Sequence, residues 1–441
     1  MSVMKYKIYT FIFLFYNIKD DSLQHNFNDS IIANLLQANF NEEINILIVD
    51  TRFFNLAGTT QRTFESVLFE LKPDEAKANW QKGDDQIEAN FGNINIADKD
   101  VLGLILMYIK LKYPAYEYVL YTNNHSNQFG ALDYDARVFD KNNSKYIEFI
   151  KPTPIIKHIY EPNENVDMLS YYELSKAIEK GFLLNQFAFE KDKDYCLGLL
   201  INIGCYSATL DNLYHFSKSS DERKSLVRYY CGCESRIANY FIDAKEIVNQ
   251  ITQNGIKKGI QQIFELLPVV YSADKRSLAT MFSCFEFTDL KTVKFFFTLL
   301  RKFIDHITTD SEISKTLQGI YKQEKDVSNI RFFKEEGDDL IYKYSIDFFE
   351  FLLFFEDKLP LIDIAFLKDR YKEIVVFMNC TTFSGISCFV PPADLRTIAL
   401  DGAKETAFAM DNAYLNKQSK TNEFNQIANW QALISKILSI P

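Results

Sequence analysis

A chain of 441 residues, 47% hydrophobic and 24% charged, has an ordinary globular composition and room for two or three domains. A formal charge of −10 without any strongly basic stretch argues against nucleic acid or an anionic membrane as the main partner. Seven cysteines spread over this length do not make the dense pattern of a disulfide scaffold, and reduced thiols in a cytoplasmic setting are the simplest reading.

The first apolar run, KIYTFIFLFY at Lys7–Tyr16, opens behind the lysines Lys5 and Lys7 with about nine residues that could pass for the apolar region of a signal peptide, which makes secretion the alternative. No small-residue cleavage site follows, and Asn17, Lys19 and Asp20 end the run. Its length suits a buried strand, and no stretch reaches the ~18 apolar residues of a membrane-spanning helix.

Further strands are expected at Ile44–Val49 (INILIV), Tyr116–Thr122 (YEYVLYT) and Cys196–Ile203 (CLGLLINI). They are near-continuous apolar runs rather than alternating ones, as strands covered on both faces are. Helical patterns separate them at Ser30–Phe40 and Lys99–Lys112. Another runs from Ser170 to Gly181, with Ser170 and Glu173 in capping-box spacing and Gly181 as its stop. A fourth helix is expected at Asp243–Gly255, after a strand LVRYYCG that Cys231 and Cys233 complete. Strand, helix, strand in this order predicts a parallel sheet between helical layers.

From residue 256 to 370 the periodicity is mostly helical, notably at Thr288–His306. Two strands then follow, 374–379 and 385–390, which read as a β-hairpin across a polar turn and end at Pro391 and Pro392. A last helix surrounds Trp430. The division expected is an α/β domain over 1–255 and a helical region over 256–441 whose hairpin packs on the first. The polar stretches 78–95 and 133–165 are the expected flexible loops.

Ligands of an open parallel sheet gather at the carboxyl ends of its strands. Cys205 follows CLGLLINI, and His125 follows YEYVLYT. If those strands are neighbours, thiol and imidazole face one crevice. A helix starting just after Cys205 would favour the thiolate. His125 can then take the thiol proton or hand one to a departing amine, with backbone N–H groups at Cys205 and near Ser126 for the oxyanion. Taken alone, Cys205 reads as a packing residue before it reads as a nucleophile, since cysteine is among the most buried types. The acidic cluster Glu335, Glu336, Asp338, Asp339 reads as a solvated loop. There is no HExxH, no phosphate-cradling glycine loop and no nucleophile-elbow serine, and the remaining histidines have no partners at ligand spacing, so no metal site is expected.

These same residues resemble the clostripain family of cysteine peptidases, which share the caspase and gingipain fold. INILIVD with Asp50 matches an early family strand. LMYIKLKYPAYEYVLYTNNHS puts His125 on the family's catalytic histidine, and LGLLINIGCYSATLDNLYHF puts Cys205 on its catalytic cysteine. LSYYELSKAIEKG, RYYCGCES and GISCFVP match further family phrases in the family's order. The resemblance implies a caspase-like α/β fold with a mostly parallel central sheet, and an endopeptidase acting on protein or peptide through a Cys-His dyad. It implies a substrate site at Ser126, Gly204, Ile203, Cys233, Glu234 and Ser235. Self-cleavage occurs in the family, and Arg137, Lys141 and Lys145 offer basic residues in the expected loop. Calcium dependence also occurs there, although no EF-hand-like loop is present to carry it; no other cofactor is implied.

The departures are specific. Ser126 stands where the family has glycine after the histidine, and Asn124 where it has aspartate. Ile203 replaces an acid that helps bind basic side chains, and Ser235 follows Glu234 where a second acid occurs. They imply a weakened preference for basic residues. They also leave open a catalytically impaired relative that binds a peptide or protein in the same crevice. Nothing in the sequence sets the oligomeric state.

Overall fold

In the computed structural model the described residues are 6–16, 22–55, 62–72, 87–92, 94, 96, 98–123, 130–135, 166–184, 187–235, 237, 242–269, 280–309, 345–356, 364–380, 383–390 and 423–438. The N-terminal apolar run becomes a strand, β1 (Lys7–Tyr16), deep in the molecule. Because side chains alternate along a strand, Phe11, Phe13 and Phe15 enter one core while Ile12 and Leu14 enter another. That two-sided burial is why the run contains no polar alternation.

Helix α1 (Ser22–Leu35) follows, and β2 (Ile44–Asn55) lies parallel to β1. The helix was expected to continue to Phe40. It stops early because Ala38 N–H turns back to the Leu35 carbonyl at 2.9 Å and Asn39 N–H leaves for the Asn249 side chain at 2.8 Å. β2 outruns its apolar core and forms an antiparallel ladder with β3 (Arg62–Leu71), to which the edge strand β4 (Ile87–Gly92) is added. β4 falls inside the stretch 78–95 expected to be a loop. Its half-exposed IEANFG carries too few apolar residues to stand out.

Helix α2 (Lys99–Lys112) is capped by Asp98, whose carboxylate accepts from Asp100 N–H at 2.7 Å. Next come β5 (Ala115–Asn123) and a separate antiparallel pair, β6 (Gly130–Asp135) with β7 (Val166–Ser170). The rest of the expected loop 133–165, with Arg137, Lys141 and Lys145, lies outside the described residues, as does the acidic cluster at 335–339.

Helix α3 (Tyr171–Phe182) opens on the expected capping box: Glu173 N–H donates to Ser170 Oγ at 3.2 Å and Ser170 N–H to the Glu173 carboxylate at 3.0 Å. It packs tightly on α2, where a Cβ on Gly181 would meet Leu106 Cβ at 2.6 Å. Ser170→Ala should lower stability by about 1 kcal/mol in denaturant unfolding, as loss of a helix cap does.

The remaining elements are β8 (Tyr195–Ile203), α4 (Leu210–Ser217), β9 (Ser225–Cys233), α5 (Ala244–Asn254), α6 (Ile256–Leu266) and β10 (Phe282–Glu286). After them come α7 (Leu290–Thr309), β11 (Ser345–Asp347), α8 (Phe348–Glu356), α9 (Ile364–Lys372) and β12 (Val375–Met378). β13 (Ser387–Phe389), α10 (Glu423–Ile427) and α11 (Trp430–Leu438) close the chain.

Among the described residues a nine-stranded sheet runs in the order β12-β10-β9-β8-β5-β1-β2-β3-β4. Strands β9, β8, β5, β1 and β2 are parallel, and both edges are extended by antiparallel strands. α1, α5 and α6 cover one face, and α2, α3, α4 and α7 to α11 the other. Trp430 is fully buried there, its ring 5.7 Å from Phe351 and 5.9 Å from Phe424. No helix among the described residues is long and apolar enough to cross a membrane.

The expected hairpin at 374–390 is corrected. Both strands form, but β12 joins β10 in the large sheet whereas β13 pairs with β11 in a small one. The turn is pulled away because Asp347, at the end of β11, accepts from Ser384 N–H at 2.9 Å and Ser384 Oγ at 2.7 Å. Gly385 then adopts φ +73, and a Cβ there would lie 2.1 Å from Ser283 Oγ.

Candidate active site

Parallel strands deliver their carboxyl ends to one rim, and β5 and β8 are adjacent with Asn123 opposite Ile203. Cys205 lies two positions after Ile203 in the sequence, and His125 two positions after Asn123. His125 and Ser126 themselves lie outside the described residues.

Cys205 is half-buried in a tight loop between β8 and α4. The loop is sewn to neighbouring strands. Tyr206 N–H donates to the Ser235 carbonyl at 2.9 Å and Ala208 N–H to the Cys233 carbonyl at 2.8 Å. Ser207 Oγ accepts from Cys233 N–H at 2.9 Å, and the Ser207 carbonyl accepts from Tyr230 OH at 2.6 Å. On the other side Ser387 N–H of β13 donates to the Ala208 carbonyl at 2.9 Å. Tyr206 takes φ 55, a left-handed conformation that costs a bulky residue about 1–3 kcal/mol and persists only where surroundings enforce it. A sharp turn is thus forced immediately after the thiol.

The helix was expected to begin directly after Cys205. It begins at Leu210, with Thr209 as N-cap accepting from Asn212 N–H at 3.2 Å. The loop, not a helix start at the cysteine itself, holds the sulfur in position.

Gly204, Cys233 and Ser235 gather at the same strand ends as Cys205. Ser235 also accepts from Met281 N–H through its hydroxyl at 3.1 Å, and its Oγ is 3.7 Å from the Cys233 sulfur. Ile203 and Glu234 are both buried behind these strand ends. Ile203 is buried in the α1/α5/α6 core. Glu234 is fully buried, and its electrostatic influence reaches Cys233 as well as Tyr371 and Cys388.

Four side chains that sequence reasoning did not single out complete the surroundings. Tyr206, Met281, Cys380 and Phe383 form a small apolar cluster apart from the two main cores, and Cys205 packs on it. They come from three distant chain segments, so no local pattern could group them. Thiols elsewhere are set apart by burial. Desolvation pushes Cys196 up to about 12 and also raises Cys233, Cys284 and Cys388. Among the described residues no cluster of three or more His, Cys, Asp or Glu could hold a metal ion.

No family model matches the chain, and no curated protein matches it either. Solved structures do match over nearly its whole length. An inactive zymogen C11 protease from Parabacteroides distasonis superposes with a TM-score of 0.56 at 13% identity, covering 97% of this chain and 99% of that one. A secreted C11 cysteine protease from Bacteroides thetaiotaomicron, iotapain, gives 0.56 at 14% identity, with 96% and 99% covered. A secreted C11 cysteine protease from the same organism, in complex with an irreversible peptide inhibitor, gives 0.51 at 13% identity, with 96% and 100% covered. The architecture is therefore that of a caspase-like α/β protein. More narrowly, the chain has the fold of the C11, or clostripain-type, cysteine proteases.

Proposed function

We propose that the protein is a cysteine endopeptidase with Cys205 as nucleophile and His125 as its proton-transfer partner. The observation that carries the reading is the register of β5 and β8: Asn123 faces Ile203, so the segments leading to His125 and Cys205 leave the same sheet edge at equal offsets. The sulfur attacks the scissile carbonyl carbon while its proton passes to the imidazole. Backbone N–H groups of Cys205 and Ser126 stabilise the oxyanion, and the imidazole returns the proton to the departing amine. Water, deprotonated by the same imidazole, then hydrolyses the thioester and frees the thiol.

Gly204, Cys233 and Ser235 line the substrate's approach, with Ser126 beside the histidine. Ile203, buried in the α1/α5/α6 core, and Ser235 stand where the resemblance expects acids, so a basic substrate side chain loses two possible carboxylate contacts. Peptide substrates are supported by the irreversible peptide inhibitor bound to the Bacteroides relative.

Thiol chemistry tests the reading. At neutral pH a peptide electrophile should label Cys205 in the native protein, whereas burial keeps Cys196, Cys233, Cys284 and Cys388 protonated and slow. Cys196 should react only as the pH approaches about 12. Peptide mass mapping reads the sites. A Cys205 that reacts no faster than those four would instead make the crevice a peptide-binding module.

A further inference from the structure

β9 and β10 run antiparallel, with Phe282 opposite Cys233, Cys284 opposite Cys231 and Glu286 opposite Tyr229. In such a ladder, pairs that exchange backbone hydrogen bonds alternate with pairs that do not. The bonds at the two ends fix which is which. Glu234 N–H donates to the Met281 carbonyl at 2.9 Å, and Phe287 N–H donates to the Arg228 carbonyl at 2.9 Å. Cys231 and Cys284 lie an odd number of residues from both of these bonded pairs. They therefore form a non-hydrogen-bonded pair, the kind whose Cα atoms stand about 4.5 Å apart with their side chains closest. A disulfide spans roughly 4.4–6.8 Å between Cα atoms.

Both side chains enter the core under α1, α5 and α6, where Cys231 and Cys284 are buried. Burial raises the Cys284 thiol, and a side-chain hydrogen bond with Cys231 raises it further, which puts the two sulfurs side by side. Cys233, on the same face of β9, stands opposite a phenylalanine instead. On its far side β10 is flanked by β12, a four-residue, partly exposed edge strand. Opening of such an edge exposes the pair without unfolding the whole chain.

We infer that Cys231 and Cys284 form a cross-strand disulfide when the chain meets a small-molecule disulfide oxidant such as oxidised glutathione. One thiolate attacks a glutathione sulfur and expels a glutathione thiolate. The second cysteine attacks the protein sulfur of that mixed disulfide and expels the other glutathione. The two thiol protons end on the two glutathione thiolates, so one disulfide is reduced as the other forms. The pair stays as thiols in a reducing compartment and closes in an oxidising one. Neither residue enters the peptide-cleaving reaction proposed above, and the pairing does not depend on it.

The test incubates the full chain with reduced and oxidised glutathione, in denaturant below the unfolding transition so that the β12 edge opens repeatedly. Remaining thiols are alkylated and the chain is digested without reduction. A peptide linking Cys231 to Cys284, lighter by two hydrogens than its thiol halves and lost with dithiothreitol, is expected to exceed any other cysteine pairing by about tenfold or more. Cys284→Ser should abolish it without creating a Cys231–Cys233 link; if that variant does not fold, the wild-type map decides. Full alkylation of both cysteines, or a mixture in which their link is no commoner than the others, overturns the pairing and leaves the endopeptidase reading untouched.

Discussion

Cys205→Ala is expected to reduce kcat/KM for peptide hydrolysis by roughly 10⁴-fold or more, the scale seen when a nucleophile acting as part of a unit is removed. The sulfur is the only atom lost, and the loop around it is held by backbone groups. Tyr206 N–H still reaches Ser235, and Ala208 N–H still reaches Cys233. Stability should therefore change by less than about 1 kcal/mol, because Cys205 is half-buried and belongs to neither main core. Progress curves and a thermal melt on the same preparation separate the two effects. Undiminished turnover by a well-folded alanine variant would remove Cys205 from the reaction.

A second large effect is expected far from the thiol. Asp347 is fully buried, and its carboxylate accepts from Ser384 N–H and Oγ, from Phe349 N–H at 2.8 Å and from Glu350 N–H at 3.0 Å. Alanine there removes the acceptor that these four donors share, leaving Ser384 Oγ only the Ile386 carbonyl at 2.9 Å, at a cost of about 3–5 kcal/mol. Asparagine, which keeps one acceptor oxygen, should lose less. The damage should reach the loop that carries Cys205, since Asp347 fixes the Ser384 turn and β13 beyond it holds Ala208. Denaturant unfolding should show the order wild type, Asp347→Asn, Asp347→Ala. Peptide cleavage measured below the unfolding transition should fall in the same order.

The centre of the sheet was readable because it is covered on both faces. β1, β5 and β8 are nearly unbroken apolar runs, and capping residues such as Ser170 and Glu173 announced a helix start through short-range hydrogen bonds. The edges were not readable. β4 is half-exposed, and β10 is only five residues long within a helical stretch. The hairpin was misread because a polar turn between two apolar runs looks the same whether or not they pair. What separates them is Asp347, 37 residues before Ser384.

The site divides similarly. The loop position of Cys205, just past a buried strand, could be read from the sequence, and its likeness to a nucleophile motif made it the candidate. Met281, Cys380 and Phe383 could not, because only folding brings them to it. Nor does anything local in CYS announce that Tyr206 will adopt φ 55.

The bond from Ser387 to Ala208 joins residues 179 positions apart. A growing chain on the ribosome makes β8 and Cys205 long before it makes β13. Until translation passes Ser387, the thiol loop lacks one of its two flanking supports. Assembly of the loop around the candidate nucleophile is therefore completed late in biosynthesis, and a polypeptide truncated ahead of that serine carries the cysteine held from the β9 side alone.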